Sequence, residues 1–256
     1  MDTWIEMTST MEKDINETID SCYPYDWEEN HITRSLLASI RSTFSSRRYL
    51  RGVENVAVSF ESYKLDGKYE THFGDIVFLI QIARKGEKPI VGAAFVEAKR
   101  RDLKSIRYSE IKVPQARRIL RVAPRAFYVL YDYEFTTRFV TQEGYSPWTT
   151  PRSPMIARGV EYAQVARVLA TPINAALASG SKDIGLYNQA LPFTAQFMSR
   201  YLCGLDLEYE PEALAVAAGW REKKGLPRRI VRVDVYEGRE PPEPIKINDN
   251  LYRQEG

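Results

Sequence analysis

Ile32, Leu36 and Ile40 recur at intervals of four, the spacing of a buried stripe on one face of a helix. Asp26 suits the N-cap of that helix, with Glu28 and Glu29 in its first turn, where the helix dipole favours acids. Extended backwards, the stripe reaches Glu29, so Glu29 rather than Glu28 is expected to face the interior. Residues 1–20 form a polar helical lead-in. Residues 53–63, "VENVAVSFESY", alternate apolar and polar as a strand does, and Asp66-Gly67 behind them is a hairpin turn signal. "THFGDIVFLIQIAR" and "PIVGAAFVEAKR", joined by "KGEK", are almost continuously apolar, as central strands covered on both faces are. A helix is expected from Pro114, with proline at N1, and "RAFYVLYDYEF" restores a strand. The expected order is helix, three antiparallel strands, helix, strand.

Residues 143–154, "EGYSPWTTPRSP", read as an irregular connection. Beyond it "MIARGVEYAQVARVLA", "LYNQALPFTAQFMSRYL" and "PEALAVAAGWREKKG" carry helical periodicity, "RRIVRVDVYEG" is a late strand, and the Pro-rich tail "REPPEPIKINDNLYRQEG" is expected to be loosely ordered. The pattern divides the chain into a core over 1–142 and a mainly helical extension over 143–256 packed on it. The fold class is α/β, a mixed central sheet flanked by helices.

Composition narrows the chemistry. Two cysteines, Cys22 and Cys203, lie far apart with no CxxC spacing, which suggests neither a disulfide framework nor a zinc cluster. His31 and His72 are too few and too separated for a histidine-ligated metal site. The N-terminal stretch lacks a basic region followed by an apolar one, and no stretch has the length of a membrane span; a soluble cytoplasmic protein is expected. Phosphate-binding and serine-hydrolase motifs are absent. Net charge is only +2, from 36 basic and 34 acidic residues, but Lys and Arg concentrate in "KRRDLKSIRYSEIK" and "QARRILRVAPR".

The charged ends of the two central strands carry the sharpest signal. Side chains alternate along a strand, so Glu97 and Lys99 share a face and Ala98 takes the other. If the connecting loop is centred on Gly86, paired residues sum to 172 and Asp75 lies opposite Glu97. A two-residue loop would instead place Asp75 opposite Ala98, on the wrong face. An odd-length loop, or a bulge near Gly74, is therefore expected. Carboxylates held together at the ends of buried strands repel one another unless a cation sits between them. Carboxylates and the Ala98 carbonyl suit Mg²⁺, with Mn²⁺ as a substitute. Such an ion, with Lys99 to orient water or stabilise charge, implies phosphodiester hydrolysis.

With Glu29 on the preceding helix, these residues resemble the PD-(D/E)xK nuclease superfamily, whose core is α-β-β-β-α-β. The resemblance covers roughly residues 25–135. The matching positions are Glu29, Asp75, Glu97 and Lys99; Gly74 stands where the family usually has proline. "EENHITRSLL" is similar to a Glu-x-x-x-Thr-x-x-Leu-Leu pattern on the first helix of some restriction and phage-defence nucleases, and "YSEIKVPQARRIL" to a segment whose glutamine, here Gln115, supports the site. The resemblance implies a Mg²⁺-dependent DNA endonuclease with Asp75, Glu97, Ala98 and Glu29 around the metal. Arg100, Arg101, Arg117 and Arg121 are candidate contacts to double-stranded DNA. A homodimer or higher oligomer and a regulatory partner protein are further expectations. Two other readings stand beside it: a catalytically silent nuclease-fold protein that binds nucleic acid or assembles with partners, and a nuclease for RNA or branched DNA.

Overall fold

The computed structural model describes residues 3–44, 48–51, 54–67, 73–140, 161–164, 166–221, 225–238 and 240–255. Helix α1 (Trp4–Ser21) opens on a capping box in which Thr3 and Glu6 satisfy each other's backbone N–H groups. Helix α2 (Glu29–Phe44) buries Ile32, Thr33, Leu36, Leu37 and Ile40. It starts later than an Asp26 cap would have it. Trp27 is buried, and its indole donates to the carbonyl of Arg101 at 2.8 Å, which holds residue 27 outside the helix.

Strands β1 (Arg48–Arg51), β2 (Glu54–Leu65), β3 (Ile76–Ala83) and β4 (Ile90–Arg100) precede helix α3 (Val113–Val122) and strand β5 (Phe127–Tyr131). From α2, with β1 set aside, the order is the expected helix, three strands, helix, strand. Strands β6 (Thr137–Val140) and β7 (Glu161–Gln164) form a separate pair, and β8 (Val168–Pro172), α4 (Ile173–Ser179), β9 (Leu191–Pro192), α5 (Phe193–Ser199), α6 (Pro211–Ala217), β10 (Arg229–Glu237) and β11 (Tyr252–Gln254) complete the described elements, apart from short 3-10 turns. The main sheet has nine strands in the order β1-β2-β10-β3-β4-β5-β8-β9, with β11 also on β2. It is mixed: β10 runs parallel to β3 and β4 parallel to β5, and the remaining pairs are antiparallel.

The second half of the chain is thus built into the sheet. Strand β10 lies between β2 and β3 and pairs with both along its whole length or nearly so. The hairpin expected at Asp66-Gly67 does not form, because the end of β2 is taken by later segments: Leu65 N–H donates to Arg228 O and Asp66 N–H to Leu251 O. The helix expected over 155–170 gives way to strands over its described part. Val168, Leu169 and Ala170 are all buried against β5, and a short continuous apolar run fits a two-sided strand as well as a helix. The segment 186–202 is interrupted at Leu191–Pro192, and α6 ends before Gly219, whose φ of +77° admits glycine readily. The tail is anchored by Tyr252, buried on β11, whose hydroxyl donates to Pro227 O at 2.7 Å. The expected irregular connection at 143–154, residues 155–160 and His72 lie outside the described residues.

Alternation along the strands sorts the core into two layers. Ile76, Phe78 and Ile80 of β3, Ala94 and Val96 of β4 and Val231 and Val233 of β10 face α1, α2 and α5. Val77 and Leu79, Ala93 and Phe95, and Ile230 face α3, α4 and α6. Both faces of the central strands are therefore dry, as their near-continuous apolar sequence requires. Removing residues 226–256 deletes β10 and leaves β2 and β3 with open edges in mid-sheet. The expected outcome is an insoluble or molten chain, read by near-ultraviolet circular dichroism and size-exclusion chromatography.

Candidate active site

Ile76 lies opposite Val96 and Ile82 opposite Ile90, so paired residues of β3 and β4 sum to 172. The turn between them has Gly86 at its centre with φ +80°, as the odd-length loop demands. The register ends at Ile76 opposite Val96: Asp75 N–H also reaches Val96 O, one residue out of step, so the chain bulges where it enters β3, beside Gly74, and Asp75 is set beside the end of β4 by that bulge. Asp75 is held from both sides. Its N–H donates to Val96 O at 3.0 Å and its carbonyl accepts from Arg229 N–H at 3.0 Å, while its Oδ2 accepts from Ala98 N–H at 3.0 Å. Gly74 makes this approach possible. It is buried with φ +93°, and a Cβ there would stand 2.7 Å from Val96 O, so only glycine lets the chain enter β3 this close to β4.

Glu97 and Lys99 lie near the end of β4 on the face covered by α3, both buried. Lys99 Nζ donates to Glu97 Oε1 at 2.6 Å, and Gln115 Nε2, reaching in from the first turn of α3, donates to the same oxygen at 2.6 Å. Glu29, at the first position of α2, enters from the other layer and stands 3.6 Å from Lys99 Nζ through its Oε2. Glu28 is exposed and Glu29 half-buried, as the helical stripe predicts. The structure therefore brings Glu29, Asp75, Glu97, Lys99 and Gln115 together, with Ala98 present through its backbone.

One ammonium faces three carboxyl groups here, and the imbalance shows in their proton affinities. Burial, then the charge of Asp75, pushes Glu97 up to about 8 despite the pull of Lys99. Burial likewise raises Glu29 to about 7, with Lys99 opposing it. Lys99 is destabilised as a cation by burial, but Glu97, Glu29 and Asp75 together hold it well above its ordinary range. Glu97 Oε2 and Glu29 Oε2 are buried without a hydrogen-bond partner. Glu29 Oε2 has the Lys99 charge at 3.6 Å; a buried carboxylate oxygen without a hydrogen bond, as at Glu97 Oε2, is costly, so this point attracts a further proton or a cation. Among the described residues no group of three or more His, Cys, Asp or Glu side chains is placed to hold a metal ion.

The arginines divide. Arg117 and Arg121 are exposed on α3 and Arg100 is half-buried. Arg101 must be removed from the phosphate-contacting set: it is buried, its Nη1 pairs with Asp132 at 2.9 Å and Glu134 at 2.8 Å, and its guanidinium lies 4.4 Å from the Tyr133 ring centroid. It pins the chain after Lys99 rather than meeting solvent. Further residues sit around the site without a signal that singled them out. Thr33, one turn after Glu29, shares a 3.0 Å hydrogen bond with Tyr131 and so fixes α2 against β5. Tyr128, on the strand beside Glu97, is pushed up to about 12 by burial and then by the Glu97 charge. Arg229 is buried at the start of β10 beside the Asp75 backbone, with its Nη1 unpartnered; an arginine opening a strand that reads as central is the one local hint.

No family model matches the chain, and neither a curated protein nor a solved structure matches it.

Two predictions follow from the geometry and charge. Gly74→Ala forces a side chain onto a backbone carbonyl and into a left-handed φ, and should cost roughly 1–3 kcal/mol in urea denaturation. The raised carboxyl groups mean that, from above the ordinary value of 4.5 up to about 8, the folded chain binds more protons than the unfolded one. Stability then falls as pH rises through this window, while the contribution of Lys99, whose pKa is raised from 10.5, stays constant there. Thermal unfolding between pH 5 and 8 should show that slope, and Glu97→Gln should flatten it.

Proposed function

We propose that the protein is a metal-dependent endonuclease of the PD-(D/E)xK type acting on DNA, as a restriction or anti-phage effector. The observation that carries this reading is the meeting of Glu29, Asp75, Glu97, Lys99 and Gln115 at one end of the sheet, with Glu97 Oε2 buried without a hydrogen-bond partner and Glu29 Oε2 facing Lys99 only at 3.6 Å. The order α2, β2, β3, β4, α3, β5 supports it as well. Strand β10, which separates β2 from β3, is not part of that order.

The donor set fits Mg²⁺ on its chemistry. Mg²⁺ keeps several waters and needs only one or two protein carboxylates, so the lack of a three-ligand cluster is compatible with it. Asp75 and Glu97 are the residues to hold it, with the Ala98 carbonyl beside them and Glu29 for a second ion or its water; Mn²⁺ can substitute. When bound, the metal supplies charge stabilisation at a phosphoryl oxygen and a more acidic water. The protein's own groups do the rest. Lys99 stays a cation across the physiological range, so it offsets negative charge on the phosphate and does not accept a proton. Gln115 and Lys99 orient Glu97 by sharing its Oε1. Arg117 and Arg121, exposed on the helix that carries Gln115, and Arg100 would be the contacts to the DNA backbone. Cutting both strands calls for a second copy of the site, hence a homodimer or higher oligomer, and a regulatory partner protein would restrain a nuclease within its own cell. No helix among the described residues is long and apolar enough to cross a membrane, in keeping with a cytoplasmic DNA substrate.

One observation favours a silent nucleic-acid-binding protein instead: Lys99 already neutralises Glu97 at 2.6 Å, and an internal ion cluster of this kind can be purely structural. RNA and branched DNA are the alternative substrates, since a fold does not choose among them.

Incubation with supercoiled, linear and single-stranded DNA and with RNA, with and without Mg²⁺, tests the reading. Cleavage of plasmid DNA should require the metal, and Asp75→Ala or Lys99→Ala should lower it by about a hundredfold or more with circular dichroism unchanged. Undiminished cleavage in both variants rejects these roles. Calorimetric titration with Mn²⁺ separates the silent alternative: binding that disappears in Asp75→Asn supports the nuclease, and no binding supports the other.

A further inference from the structure

A cavity of about 340 Å³ opens on the α6 side of the sheet, away from the acids and Lys99. Its floor is Tyr63 of β2 and Arg232 of β10. Its walls are Trp220, which follows α6, and the segment 244–252, including Lys246, Asp249 and Tyr252. None of these residues takes part in the site above.

We infer that this cavity is a binding site for a purine base, guanine in preference to adenine. Its volume lies at the small end of the roughly 300–1,000 Å³ range of ligand pockets, enough for one flat ring system. Three aromatic residues line it, and aromatic faces stack on bases of any kind. Trp220 is 53% exposed, a large ring left wet at the mouth. All three rings are fixed by their polar ends, the hydroxyl of Tyr63 to Glu61 Oε2, the indole of Trp220 to Lys246 O at 3.1 Å and the hydroxyl of Tyr252 to Pro227 O at 2.7 Å.

The polar groups select the base. Arg232 is held on all its nitrogens, Nη2 by Glu61 at 2.6 Å, Nη1 by Ile245 O at 3.4 Å and Nε facing Asp234 at 3.8 Å, so it lends the cavity a fixed planar cation and no free donor. Lys246 lines the cavity, and a lysine donor matches the O6 and N7 acceptors of guanine, whereas adenine presents an amino group in place of O6. Asp249, exposed at the rim, is an acceptor for the N1–H and N2–H₂ donors that guanine has on its Watson–Crick edge and adenine lacks. The base can arrive on a free nucleotide or as an unstacked base of a strand; the chemistry is the same.

Calorimetric titration of the full chain with GMP, AMP, and guanine-only and adenine-only single-stranded trinucleotides, in buffer without divalent cations, tests the inference without reference to cleavage. The guanine ligands should bind at least about tenfold more tightly than the adenine ones. Asp249→Asn should remove that preference and Trp220→Ala should weaken both. Binding of GMP identifies a free nucleotide as sufficient, and binding of the trinucleotide alone, still lost in Trp220→Ala, identifies a strand. No heat from any of the four at millimolar concentration, equal affinity for guanine and adenine, or affinities untouched by both substitutions would overturn it. Both substituted residues are exposed, and circular dichroism checks that each variant remains folded.

Discussion

Asp75 is held against the end of β4 where the chain enters its pairing with that strand, its N–H on Val96 O and its carboxylate on Ala98 N–H, and everything chemical in the molecule rests on that junction. Side chains on a strand change face at every residue, so a slip of one position would turn Asp75 away from Glu97 and Lys99. Three separate devices resist the slip. The Gly86 turn sets the parity, Gly74 lets the incoming chain touch the β4 backbone, and the Asp75 carboxylate is itself tied to Ala98 N–H. The two dry faces add a further penalty, because a shifted β4 would press charged side chains into a packed layer.

That junction is also the source of electrostatic strain. Holding Glu97 and Glu29 around a single buried ammonium leaves more acid than base in a place that water does not screen. Hydrophobic side chains of the same volume would pack there more stably. The arrangement is what a site looks like when poised groups are kept at the expense of stability. The surroundings compensate: Thr33 and Tyr131 lock the helix carrying Glu29, and the Arg101–Asp132 pair with Trp27 locks the chain that leaves Lys99.

Much of the site could be read from the chain because its determinants are local. The parity of the "KGEK" loop, the face shared by Glu97 and Lys99, the inward turn of Glu29 on its helix and the place of Gln115 at the start of α3 all follow from spacings within one element or one hairpin. What stayed hidden depends on distant partners. Arg101 looks like part of a basic run until Asp132, on the far side of α3, neutralises it. Thr33 and Tyr131 are an ordinary helix threonine and strand tyrosine until packing sets them 3.0 Å apart. Strand β10 has a readable strand pattern, but nothing local says that it belongs between β2 and β3. The apolar runs over 168–170 and 186–202 fit either helix or strand by period alone, and the sheet edge at β5 decided the first of them.

The position of β10 also sets an order of events in the cell. A polypeptide leaves the ribosome N-terminus first, so β2, β3 and β4 are made long before the strand that separates the first two. Until residues 229–237 emerge, Asp75 lacks the Arg229 amide that holds its carbonyl, and the pairing that completes the sheet spans well over a hundred residues of intervening chain. Such distant pairing forms slowly. The acids and the lysine therefore acquire their final arrangement only once β10 has been made, and a nascent chain carries the site's residues without yet carrying the site.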